Sequence, residues 1–152
     1  MVNSFKNQYQ FILVVFVVLH LSTAVFANSC PDFTGSFNCI DPDSKEAFSM
    51  EISQSTADDI TTYTYVYDGG ASSFVQKVSD KGEINFWDSN KPEFYIARCG
   101  GDRVNYFGGK AERLFVHDRI DPSDRSYVET IVKEDGTEKE YIRCSRKETF
   151  AN

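Results

Sequence analysis

Histidine is nearly absent from this chain, which holds two, His20 and His117, and tryptophan occurs once, as Trp87. Nucleophile–base catalysis needs a serine or cysteine held by a histidine that is itself oriented, and no elbow motif supplies such a nucleophile. None of the four cysteines forms a C-x-x-C pair, which argues against the usual zinc spacings, so no metal is expected. Basic residues are outnumbered, 16 against 23 acidic, for a net charge of −7. Phosphate binding needs clustered Lys and Arg, so nucleic acid and anionic membrane surfaces are not expected partners. The pairs Gly69-Gly70, Gly100-Gly101 and Gly108-Gly109 follow β-prone runs and open no helix, which disfavours a phosphate-cradling loop. Carboxylate pairs for hydrolysis could be assembled from any of the acidic residues and carry no signature. No cofactor is implied, and the balance tilts away from an enzyme, with a small hydrolase the weakest of the candidates.

Long apolar runs are also missing, with one exception. Residues Phe11 to Leu19 read FILVVFVVL behind a short polar stretch carrying Lys6. A membrane-spanning helix needs about 20 apolar residues, whereas this run meets His20 and loosens into Ser22, Thr23 and Ala24. With Val25-Phe26-Ala27 at its end, residues 1–27 have the layout of a signal peptide cut after Ala27. The expected product is secreted, extracellular or periplasmic, without stable membrane insertion after cleavage, and residues 28–152 suffice for a single domain. Cys30, Cys39, Cys99 and Cys144 all fall in that part, where an even count in an oxidising compartment implies two disulfides.

The exported part lacks any long helical pattern. Short runs rich in Tyr, Phe, Val, Ile and Thr alternate with turn residues, giving ten expected strands: Phe33 to Ile40, Ala47 to Gln54, Ile60 to Tyr67, Ser73 to Ser79, Glu83 to Trp87, Glu93 to Cys99, Arg103 to Phe107, Arg113 to Asp118, Tyr127 to Lys133 and Glu138 to Cys144. Connections such as Asp68-Gly69-Gly70 and Asp135-Gly136 suit hairpins between antiparallel neighbours. Phe48, Met50 and Ile52 alternate with Ser49, Glu51 and Ser53, which marks a buried face, and the same test puts Ile84 and Phe86 inside. Tyr63, Tyr65 and Tyr67 oppose Thr62, Thr64 and Val66, and alternation does not choose between those faces. A meander with one dry face must hide its edges, so the expected fold is all-β: an antiparallel up-and-down meander closing into a small barrel of about 8–10 strands. The alternative is a β-sandwich.

Pro31-Asp32-Phe33-Thr34-Gly35-Ser36-Phe37 resembles the Gly-x-Trp opening of lipocalins and related calycins, with Phe37 at the tryptophan's place. The family's arginine, which packs across that ring from the last strand, would be Arg143 or Arg146. The resemblance implies a barrel that holds a small apolar or amphipathic ligand. The aromatic residues Tyr63, Tyr65, Tyr67, Phe86, Trp87, Phe94, Tyr95, Tyr106 and Phe107 could line such an interior, although strand packing alone also enriches aromatics. Arg98 shares a face with Phe94 and Ile96. Either it points inward, where the likeness to fatty-acid-binding relatives would have it hold a ligand carboxylate, or it reaches solvent at a strand end. His117 with Asp118, Asp121 and Asp124 reads as a strand-end histidine and a solvated acidic turn.

Two function classes follow: a secreted binder of a small ligand in the barrel interior, or a protein-interaction module, an inhibitor or effector, whose partner meets its loops. In an alternating meander Cys99 and Cys144 finish at one barrel end and Cys39 near the other, so the expected pairing is Cys99 with Cys144 and Cys30 with Cys39.

Overall fold

A computed structural model describes residues 30–87, 93–108 and 113–147; residues 1–27, expected to be a signal peptide, lie outside them. Ten antiparallel strands form one sheet: β1 (Gly35–Ile40), β2 (Ala47–Ala57), β3 (Ile60–Tyr67), β4 (Ser72–Val78), β5 (Glu83–Phe86), β6 (Phe94–Gly100), β7 (Arg103–Gly108), β8 (Arg113–Ile120), β9 (Tyr127–Val132) and β10 (Glu138–Arg146). Each strand lies where its β-prone run is found in the sequence. Among the described residues, no helix is long and apolar enough to cross a membrane.

Turn chemistry sets the hairpins. Asp58 and Asp59 both take positive φ between the paired residues Ala57 and Ile60, the two-residue turn that matches strand twist. The segments Asp41-Pro42 and Asp121-Pro122 open equivalent turns: Lys45 N–H donates to the Asp41 carbonyl at 3.0 Å, and Arg125 N–H to the Asp121 carbonyl at 2.8 Å. Asp41 and Asp121 each accept a further bond from the backbone N–H two residues on, at 2.9 and 3.0 Å.

The sheet order is β4-β3-β2-β1-β10-β9-β8-β7-β6-β5. First and last strands pair, as an up-and-down barrel requires, but the sheet is not closed, which corrects the barrel expectation. Its edges are β4 and β5, neighbours in sequence that share no ladder. Where their main chains would pair, the Asn85 side chain accepts from Lys77 N–H at 2.9 Å and donates to the Lys77 carbonyl at 2.8 Å. Ser79 bypasses β5 and bridges to β6, its carbonyl accepting from Cys99 N–H at 2.9 Å. The result is an open, curled sheet, nearer to the sandwich alternative, with β1–β4 on one side of the core and β5–β10 on the other.

The core fills the space between those halves with Met50, Ile52, Tyr63, Tyr95 and Val104, among others. One end is plugged by the segment ahead of β1. Phe33, fully buried, stacks on Tyr63 at 5.0 Å between centroids and meets Tyr127 edge-on at 5.8 Å. The Tyr63 hydroxyl donates to the Pro31 carbonyl at 2.5 Å. Beside it Phe37 is also fully buried, and the guanidinium of Arg146 lies 5.4 Å from its ring centroid while donating to the Thr34 carbonyl. Arg146, not Arg143, therefore covers the ring. Gly35 makes room for it, since a Cβ there would stand 2.5 Å from Arg146 Nη2.

The disulfides join Cys30 to Cys99 and Cys39 to Cys144, which overturns the expected pairing. Strand ends are staggered, so they are a poor guide to which residues share a barrel end. Register places Phe37 opposite Arg146 and Asn38 opposite Ser145, which brings Cys39 against Cys144 with α-carbons 4.2 Å apart. Cys30 is carried to β6 by the plugging segment, and its α-carbon lies 5.2 Å from that of Cys99.

Phe37→Ala is expected to cost about 3–5 kcal/mol, read by urea denaturation, and wild-type stability in that variant would show that the ring does not seal the core. Non-reducing peptide mapping should recover Cys30 with Cys99 and Cys39 with Cys144.

Candidate functional site

Strand alternation aims one set of side chains from each half into the core. Residues of β3, β4 and β6–β9, with Trp87, leave a cavity of about 300 Å³. Its aromatic wall includes Tyr65, Tyr67, Phe74, Trp87 and Tyr95. Trp87 is about half exposed and packs 4.4 Å from Tyr95, centroid to centroid, so it stands at the border between cavity and solvent.

Another part of the lining is polar. Asp118 on β8 and Glu129 on β9 are directly opposed across their ladder, and both line the cavity. Asp118 is 3% exposed, and its Oδ1 has no hydrogen-bond partner among the described residues; leaving a buried acceptor unpaired costs about 1–3 kcal/mol. Its Oδ2 contacts the Tyr106 hydroxyl, which also lies 3.1 Å from Gln76 Oε1. Tyr65 donates to the same Gln76 oxygen at 3.4 Å, and Gln76 Nε2 donates to the Tyr95 hydroxyl at 3.2 Å. Tyr106 has one proton for two acceptors. The inventory closes when Asp118 is protonated and donates to Tyr106, which then donates to Gln76.

Electrostatics favour that state. Burial, then the charge of Glu129, push the Asp118 carboxyl up to about 8, against partial relief from the hydroxyls of Tyr106 and Tyr127. Burial raises Glu129 as well. Like charges directly opposed across a ladder repel, and no ion pair among the described residues involves either carboxyl. Burial also pushes the hydroxyls of Tyr67 and Tyr95 up to about 12, so both stay neutral. Among the described residues no group of three His, Cys, Asp or Glu could hold a metal ion.

Of the aromatic residues singled out in the sequence, Tyr65, Tyr67 and Tyr106 meet at this cavity, with Trp87 and Tyr95. Tyr63 points inward but is spent on Phe33. Phe86 and Phe94 are corrected: they face each other on the outer surface, 55% and 50% exposed, beside Ile84 at 62%. Arg98 does share the face of Phe94 and Ile96, but that face is the outer one, and its guanidinium lies 5.5 Å from the Phe107 ring centroid. On β6 both residue sets are largely apolar, so alternation fixed who shares a face without fixing which face is dry. On β5 alternation pointed the wrong way, because the polar Asn85 turns inward to bond the Lys77 main chain and leaves Ile84 and Phe86 outside. Arg143 serves the Asp121–Asp124 turn instead of an aromatic ring, donating to Asp121 at 3.1 Å, Asp124 at 3.2 Å and Ser126 at 2.6 Å.

The acidic-turn expectation divides. Asp121 and Asp124 are turn residues, whereas His117 is buried within β8 and Asp118 is a cavity residue. Sequence reasoning missed Asp118, Glu129 and Gln76. A signal existed: Val116-Asp118-Ile120 and Tyr127-Glu129-Ile131 each place one carboxyl on an otherwise apolar alternation, on successive strands. Comparison with family models, curated proteins and solved structures found no match to this chain.

Between its ordinary 3.8 and about 8, native Asp118 holds a proton that the unfolded chain releases, so stability falls as pH rises through that window. The melting temperature should drop between pH 5 and pH 8, and Asp118→Asn should flatten the slope. An equal slope in the variant would place the titrating group elsewhere.

Proposed function

We propose that this is an exported binding protein that holds a small amphipathic molecule between the halves of its sheet. The observation that carries this is the cavity itself: about 300 Å³, at the lower end of small-molecule sites, with apolar walls and a few convergent polar groups. Two disulfides suit an oxidising compartment and hold the walls in place, so a ligand would meet a preformed site and a lower ordering cost.

Binding fits the geometry better than hydrolysis. Asp118 and Glu129 project from adjacent strands on the same wall, whereas glycoside hydrolysis needs carboxyl groups flanking the scissile bond. Recognition of a protein partner would instead use the outer face of β5 and β6, where Ile84, Phe86 and Phe94 are exposed.

Trp87 is the only tryptophan, so its emission reports on the cavity mouth. Titration with the neutral probe N-phenyl-1-naphthylamine should quench it saturably, with energy transfer to the probe. Val116→Phe, which fills the cavity, should weaken uptake about tenfold without lowering the melting temperature. A wild-type protein that takes up no probe, and carries no retained ligand in native mass spectrometry, would overturn interior binding.

A further inference from the structure

We propose that the ligand is an organic cation, an amine whose ammonium group sits on Asp118 and Glu129 while its apolar body lies against Trp87 and Tyr95. This rests on the interior-binding reading above and names the chemistry of that site.

The first observation is the unpartnered Asp118 Oδ1, on a side chain 97% withdrawn from solvent, its residue being 3% exposed, and lining the cavity. Buried polar atoms in folded proteins are paired, so this oxygen marks where a donor belongs. The second is Glu129, directly across the ladder and lining the same space. An ammonium has three N–H donors and no acceptor, and one such group between the two carboxyls removes their repulsion and supplies the absent donor. The third is the aromatic part of the lining. Neutral tyrosines and an indole present π-faces, which attract cations more strongly when water is excluded.

Other ligand classes fit less well. Among the described residues no Lys, Arg or His lines the cavity, so a carboxylate or phosphate there would meet two acids and no counter-charge from them. A hard divalent ion needs about six oxygen ligands, and an aromatic wall supplies few. With Arg98 on the outer face, the polarity implied by the fatty-acid-binding likeness is inverted.

Charge balance gives a second signature. When the cavity is empty the pair keeps a proton; seating a cation expels it to solvent, so the site's charge falls by one as the ligand adds one. The titratable groups facing Asp118 are Glu129 and Tyr127 on β9, Tyr106 on β7, Tyr65 and Tyr67 on β3, and Tyr95 on β6. Burial holds each of these tyrosines neutral, which leaves the carboxyl pair to supply the proton. For a cation that does not itself titrate, affinity should therefore climb from pH 6 and level off near the upper carboxyl's transition at about 8.

The test compares phenethylamine, 2-phenylethanol and phenylacetate, which share one aromatic body and differ in charge, by Trp87 quenching. The amine should bind at least about tenfold more tightly than the alcohol, the scale of one charge-assisted hydrogen bond, and phenylacetate should not compete. In Asp118→Asn and Glu129→Gln, with folding checked by near-ultraviolet circular dichroism, the amine-to-alcohol ratio should fall toward one. Independently of any variant, phenethylamine, which stays an ammonium at pH 7, should bind wild type with release of nearly one proton at that pH, measured calorimetrically in buffers of different ionisation enthalpy. Equal affinity for amine and alcohol in wild type, or a ratio unchanged in both variants, would overturn the cation assignment while leaving interior binding standing. Failure of all three compounds and of the neutral naphthylamine probe would overturn interior binding itself.

Discussion

The two halves of the sheet hang on the ladder between β1 and β10, where two residue pairs, Phe37 with Arg146 and Asn38 with Ser145, are in register. A contact so short is weak as main-chain pairing, and three side-chain features reinforce it. The Cys39–Cys144 bond closes a sequence separation of 105 residues, which restricts the unfolded chain strongly. The buried Phe37 ring carries the Arg146 guanidinium across it, and Gly35 leaves space for that guanidinium. Were this ladder to part, the halves would no longer face each other and the cavity between them would have only one wall.

The other junction, between β4 and β5, is looser. A true ladder there would close a barrel, whereas the structure uses the Asn85 amide and the Ser79 bridge. Because Trp87 directly follows β5, the open seam and the aromatic border of the cavity lie along the same stretch of chain. The cost is an edge strand that carries Ile84 and Phe86, beside Phe94 of β6, in contact with solvent, where natural sheets usually cover or charge the edge.

Stability alone does not account for the polar wall. Replacing a buried charged pair by apolar residues of similar volume is often neutral or stabilising. Asp118 keeps an orphaned oxygen and Glu129 opposes it at close quarters. Departures from local consistency of this kind concentrate at functional sites; the one at Asp118 lies in the cavity, while the orphaned atoms of His117, Gln54 and Arg146 lie outside its lining.

The amino-acid sequence by itself determined the periodic elements. Ten β-prone runs became ten strands, Asp-Pro and Asp-Gly segments became turns, and Met50 and Ile52 went inside against Ser53 and Glu51, because these depend on neighbours along the chain. Burial of Phe37 was legible for the same reason. Tertiary structure decided which face of β5 and β6 is dry, how the cysteines pair, whether the sheet closes, and that Asp118 lies in a cavity instead of a turn. Each of these depends on partners far away in sequence. Where a strand is apolar on both faces, as on β6 with Tyr95 and Ala97 against Phe94 and Ile96, alternation is satisfied by either orientation; on β5 the Lys77 main chain drew the polar Asn85 inward against the alternation. Register works likewise: a shift of one residue between β1 and β10 would have turned Cys39 away from Cys144, and no local spacing encodes it.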